Sequence, residues 1–277
     1  MKRRRFLQAV SSGAVLSSCR GRLEEQIWRG IAMGIEVTVK YHGDGDLDSA
    51  IQAVAEAEEA LTLWSSDSSL SRLNREGFLN NPPKPLLECL RKSYELFEAS
   101  EGVFDPTIHS FLTWAKGRYE SGRTPAGEEI TERLERVNFG LVGFSESKII
   151  LPEGMSLSLN AIAQGYLTDV FAENFSASSA LVNFGEYRVI GPDSWPVEIE
   201  GKRHELIRAL AVSSGSGQRL SATSAANHLM HPKTGESPPP GKVVAVEADE
   251  AWLADGLSTV VAIGGGIPDR YSSARIL

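Results

Sequence analysis

Only two cysteines, Cys19 and Cys89, occur among the 277 residues, so no multi-disulfide framework holds this chain and its stability has to come from an apolar core. Long apolar runs are also missing. Beyond a short stretch over residues 9–16, nothing approaches the roughly 20 residues that a membrane-spanning helix needs. Basic residues are in deficit, 28 against 36 acidic, for a net charge of −8. Binding a phosphate backbone needs a concentrated basic face, so nucleic acid is not an expected partner. With 42% hydrophobic and 23% charged residues, the composition is that of a globular protein with one large domain or two small ones.

The basic residues that do cluster sit at the start. Met1-Lys2-Arg3-Arg4-Arg5-Phe6-Leu7-Gln8, followed by the apolar stretch, reads as an export signal, with a frayed basic helix as the alternative. Arg3-Arg4-Arg5-Phe6-Leu7 resembles a twin-arginine signal. Leu16-Ser17-Ser18-Cys19 resembles a lipobox, whose cysteine would become the lipidated first residue of the mature protein. The expected division is an export segment over residues 1–19 and a folded domain over 20–277, anchored through Cys19 on the periplasmic side of the inner membrane. With Cys19 lipidated, no intrachain disulfide is possible. Cys89 lies in a helical pattern with Leu86, Leu87 and Leu90 and is expected to pack as a small hydrophobe.

Residues 35–39 alternate apolar and polar side chains and predict a strand. Residues 46–61 carry Leu47, Ile51, Val54, Ala55 and Leu61 at helical spacing, with Glu56, Glu58 and Glu59 expected toward solvent. Pro85 opens a second helix that reaches Ser100. Residues 120–136 are charged and read as a solvated connection and helix. The second half predicts strands at 149–151, 181–184, 197–199, 210–212 and 243–246, and helices at 161–173 and 251–263. No internal repeat and no long linker follow residue 24. One compact α+β unit, with a ligand cleft between two lobes, is the expected architecture.

Three segments carry candidate chemistry. Asp255 and Thr259 are four apart on a predicted helix and share a face, a carboxylate and a hydroxyl suited to a hard cation; an Asp near a helix start with a Thr packed below it is the alternative. Asn227-His228-Leu229-Met230-His231-Pro232-Lys233-Thr234-Gly235 offers histidines for proton transfer, or a buried histidine satisfied by backbone. His-x-x-His with a following Pro specifies no zinc site. Leu159-Asn160-Ala161-Ile162-Ala163-Gln164-Gly165-Tyr166 starts a helix with small residues, suited either to a phosphate at exposed amides or to close helix packing, with Asn160 as the expected cap.

The order of these segments, with Met33-Gly34, Trp64 to Asn74, Gly102-Val103-Phe104-Asp105-Pro106-Thr107 and Leu181-Val182-Asn183-Phe184-Gly185, resembles the successive signature blocks of the ApbE family of FAD:protein FMN transferases, over nearly the whole mature chain. That resemblance implies an α+β, T-fold-related single domain with mixed short-stranded sheets, flanking helices and a flavin cleft. It implies Mg²⁺ as cofactor, FAD as substrate, and transfer of FMN to a Thr or Ser of an acceptor redox flavoprotein with release of AMP. Met33, Trp64, Val103, Phe104, Asp105, Ser158, Gln164 and Met230 would line the flavin site. The metal would sit among Asp255, Thr259 and the carbonyl of Ala161, and His228 would be the base. The sequence departs from the family pattern: Ser158 stands for an Asp, Asn160 for a Gly, Gln164 for a Lys, Glu186 for a Gly and His231 for an Asp. Two further readings are an FAD pyrophosphatase and a non-catalytic flavin-binding lipoprotein.

Overall fold

The computed structural model describes residues 24–277 apart from 218 and 222–224; the export segment and Cys19 lie outside these residues. The domain opens on a hairpin of β1 (Glu25–Ala32) and β2 (Ile35–His42), paired so that Ala32 faces Ile35. Only Met33 and Gly34 turn the chain, and both take positive φ, 50° and 76°, as a two-residue hairpin turn requires. Then follow α1 (Leu47–Leu61), α2 (Ser69–Glu76), β3 (Phe78–Asn80), α3 (Lys84–Ala99), α4 (Ile108–Glu120), α5 (Gly127–Leu134), β4 (Gly143–Phe144) and β5 (Lys148–Ile150). The second half contains α6 (Asn160–Asn174), β6 (Ser179–Asn183), β7 (Tyr187–Ile190), β8 (Trp195–Ile199), β9 (Lys202–Leu206), β10 (Ala209–Ser214), β11 (Val243–Ala248), α7 (Ala251–Ala262) and β12 (Arg275–Ile276).

Seven strands form the main sheet in the order β1-β2-β6-β7-β10-β11-β12, with every neighbouring pair antiparallel. Alternation along each strand divides two cores. Ala180 and Val182 of β6 and Val244 and Val246 of β11 face the main core, which α1, α6 and α7 cover. Leu181, Val189, Leu210 and Ala245 face the opposite side, where Trp195, Val197 and Leu206 of the β8–β9 hairpin pack onto them. A satellite cluster joins Phe111 and Ala115 of α4 to Leu134 of α5 and to Met230. No helix among the described residues is long and apolar enough to cross a membrane.

Helix α7 is locked to α6 at two points and held at its far end by the residue before β11. Gly165 lets the backbones touch: a Cβ there would lie 2.4 Å from the Ala251 carbonyl oxygen. Asp169 of α6 accepts the Ala251 and Trp252 amides at 3.0 and 2.8 Å and pairs with Arg188 at 2.6 Å, so one helix supplies the N-terminal cap of the other. At the far end, Lys242 Nζ donates to the Val261 and Ala262 carbonyls at 3.1 and 2.9 Å. A carboxylate at the amino end and an ammonium at the carboxyl end both oppose the helix dipole.

Two sequence expectations need correction. Glu58 does not face solvent with Glu56 and Glu59; it is buried and accepts the Met33 amide at 2.8 Å. Asn160 is the first residue of α6, and the cap position falls on Leu159.

Candidate functional site

The site forms where α7 crosses the first turns of α6. Asp255 is buried, and its Oδ2 accepts the Gly165 amide at 3.0 Å. In a regular helix that amide donates to the carbonyl four residues back, which is Ala161, so Asp255 competes with Ala161 for the donor. Thr259 follows one turn after Asp255 on α7, with its hydroxyl 3.4 Å from Ser213 Oγ, which in turn lies 2.7 Å from Ser258 Oγ. Burial first, and then the nearby charge of Asp169, push Asp255 up to about 7 against the pull of the Gly165 amide.

Gln164 brings in the β6–β7 turn. A Cβ on Gly185, whose φ is 100°, would lie 3.0 Å from the Gln164 side-chain amide and 3.1 Å from Ile35 Cδ1. The turn, the start of α6 and the tip of the first hairpin therefore meet. Met33 is at that tip, held by Glu58 from the last turns of α1. Trp64 follows α1 and is 80% exposed, an open aromatic face on which a planar ring can stack.

Val103 packs near Val260 and Gly265 at the end of α7, and Phe104 is buried near Gly256. Asp105 is occupied structurally: Oδ1 accepts the Thr107 amide and hydroxyl at 2.8 and 2.6 Å, and Oδ2 accepts the Phe139 amide at 3.0 Å. Burial raises its pKa although these three donors oppose the shift. Ser158 joins this segment to α6, donating its amide to the Pro106 carbonyl at 3.1 Å while Oγ accepts the Asn160 amide at 3.4 Å.

His228 approaches from the loop after β10, its Cε1 3.3 Å from where a Gly217 Cβ would be. Ser213, which touches Thr259, begins the same stretch. Asn227 fixes the loop: Nδ2 donates to the Pro238 carbonyl at 2.9 Å, and Oδ1 accepts the Leu229 amide at 3.0 Å. The Met230 side chain packs away into the satellite cluster. His231 makes a turn contact, its Nδ1 accepting the Lys233 amide at 3.1 Å.

The structure thus gathers Asp255, Thr259, Gln164, Val103 and Phe104 around the α6–α7 crossing, with Ala161 one turn before Gly165 on α6, Met33 at the nearby hairpin tip and His228 on the loop after β10, while Trp64 stands exposed after α1. Sequence reasoning missed Glu58, hidden in a run of glutamates, and Asp169, whose capping role depends on a helix elsewhere in the chain. Among the described residues no group of three or more His, Cys, Asp or Glu side chains converges, yet the oxygen donors present fit Mg²⁺. That ion takes few protein ligands and completes its shell with water and phosphate oxygens.

An α+β domain with a buried carboxylate and a half-buried hydroxyl one turn apart on a helix that crosses the start of another is the class that the fold and site define. Residues 33–268 match the ApbE family, and the chain belongs to that family. A comparison with curated protein sequences finds no match. Among solved structures, the chain is similar to the apo form of the flavinyl transferase ApbE of Pseudomonas stutzeri, at 24% identity and a TM-score of 0.72 over 88% of this chain and 87% of that one. It is also similar to the ApbE protein of Thermotoga maritima, at 22% identity and a TM-score of 0.69 over 86% of each chain. A variant of the flavin transferase ApbE of Vibrio cholerae aligns at 19% identity and a TM-score of 0.71, over 92% and 93%.

Proposed function

We propose that this protein is a Mg²⁺-dependent FAD:protein FMN transferase. An acceptor Thr or Ser hydroxyl attacks the FMN phosphorus of FAD, a new phosphoester forms, the pyrophosphate bond to AMP breaks, and the hydroxyl proton passes to a base. The observation that carries this reading is the Asp255 carboxylate, buried at the helix crossing one turn from Thr259 and bonded to the Gly165 amide, with no basic partner among the described residues. A buried carboxylate without a counter-charge is costly, and a cation shared with a pyrophosphate removes that cost. Bound there, Mg²⁺ would neutralise charge on the pyrophosphate and the leaving AMP.

The protein's own groups account for the rest. Asp255, Thr259 and the Ala161 carbonyl hold the cation, Trp64 and Met33 border the flavin ring, and Val103 and Phe104 close the floor. His228 accepts the hydroxyl proton, since a free hydroxyl is a poor nucleophile until a base is within hydrogen-bond reach. We further propose that the chain is exported through its twin-arginine segment and anchored by lipid on Cys19, where its acceptor is an exported or membrane-bound redox subunit; fractionation of a Cys19→Ala variant into the soluble periplasm is the expected result.

The deciding experiment incubates the purified protein with FAD and Mg²⁺, with and without a flavoprotein domain bearing an acceptor Thr, and follows AMP release and flavin fluorescence on a denaturing gel. Covalent fluorescence that needs both acceptor and metal is expected. AMP without labelled acceptor would replace the reading by FAD pyrophosphatase, and FAD binding without either product by a non-catalytic binder.

A further inference from the structure

Glu186 is a second buried carboxylate at this site. It is 6% exposed and sits in the β6–β7 turn directly after Gly185. One oxygen, Oε2, accepts the Val212 amide at 3.2 Å; Oε1 has no hydrogen-bond partner among the described residues. Contacts around the carboxylate close a circuit. Asp255 bonds the Gly165 amide, the neighbouring Gln164 packs against Gly185, Glu186 bonds Val212, and the next residue, Ser213, reaches Thr259 on α7. Asp255 and Thr259 are one turn apart, so the circuit returns to its start with Glu186 inside it. Burial and then the Asp255 charge raise the Glu186 pKa well above the ordinary range, with only the Val212 amide opposing them. No Lys or Arg forms an ion pair with either carboxylate among the described residues. Arg188, two residues after Glu186, is committed to Asp169 at 2.6 Å.

Two buried carboxylates held in one circuit of contacts, without a cationic side chain bonded to either, are stabilised by a divalent cation shared between them. We propose that Glu186 is a further ligand of the cation site, which lets this chain retain a divalent cation before any nucleotide binds. This rests on the cation site assigned above to Asp255 and Thr259. Gln164 strengthens the case, since a neutral side chain at that position leaves the negative charge of the pair unopposed. With one carboxylate a site of this kind recruits its metal together with the substrate's phosphates; with two, the protein alone supplies enough charge and oxygen to hold it.

The test titrates full-length protein with Mn²⁺ in the absence of nucleotide, reading free Mn²⁺ by electron paramagnetic resonance, and records melting temperatures with and without metal. Wild type is expected to bind one Mn²⁺, and Glu186→Gln to weaken binding by about 10- to 100-fold. Glu186→Gln should also raise the metal-free melting temperature, because the cost of burying an ionisable carboxyl near Asp255 is gone, and shrink the increment that metal adds. A merely structural role would lower the metal-free value and leave the increment. Glu186→Gly serves as a second variant, since the turn already carries Gly185. If wild type binds no Mn²⁺ without nucleotide, or if both Glu186 variants bind as wild type does while Asp255→Asn loses the ion, the proposal is overturned and the Asp255 site stands. If Asp255→Asn also binds normally, the cation site itself is wrong.

Discussion

His231 accepts the Lys233 amide through Nδ1, a contact that needs the imidazole unprotonated. Burial first, and the Lys233 charge second, lower its pKa below 6.5. The unfolded chain therefore binds the proton more readily than the folded one, and the turn's contribution is complete above about pH 6.5 and is lost as pH falls through the lower folded value. Melting temperatures measured from pH 8 to pH 5 should fall more for wild type than for His231→Asp, whose carboxylate accepts the same amide without titrating in that window. At the neighbouring position, His228→Ala should keep FAD binding and lose turnover by about 10²- to 10⁴-fold, the usual weight of a positioned base; unchanged AMP release would remove His228 from that role. Asp255→Asn should raise the Mg²⁺ concentration for half-maximal rate by about 10- to 100-fold or more, read from a metal titration at saturating FAD.

The pairing of α6 with α7 decides whether the site exists. Gly165→Ala would push a methyl into the Ala251 carbonyl at 2.4 Å, and the helices would have to separate. A cost of about 1–3 kcal/mol in denaturant unfolding is expected, with weaker metal binding because Ala161 and Asp255 sit on opposite sides of that contact. Asp169→Ala should cost about 3–5 kcal/mol, since it strips two amides of their acceptor and leaves Arg188 without its partner. The Asp255–Thr259 spacing was legible in the sequence because an i,i+4 pair on a helix shares a face whatever surrounds it. Asp169 was not, because its partners are amides of a helix far along the chain. β1 escaped notice because its inward positions after Trp28 are Gly30 and Ala32, too small to register as alternation. β9 reads Lys202-Arg203-His204-Glu205-Leu206 and covers the sheet with little apolar content of its own.

At the scale of the whole molecule, the α+β class and the single-domain expectation follow from composition and patterning, whereas the order of strands depends on pairings between distant segments that no local pattern encodes. Cys89 is fully buried, and burial, with the Asp255 charge behind it, pushes its thiol far up. In a Cys19→Ser background a thiol reagent should label Cys89 only as fast as the protein globally opens; rapid labelling of the native state would show that the core near α3 opens locally. Pairing of Val39 with Val182 also sets a timetable for biosynthesis. At roughly 5–20 residues per second, β2 leaves the ribosome about 7–30 s before the strand that completes its ladder, and α7, with Asp255, comes later still. Under the proposed export route the targeting signal is thus made first and α7, with the carboxylate proposed to hold the cation, nearly last. A translocon that accepts only folded cargo would then act as an inspection step, passing chains in which the sheet has closed and the site is assembled.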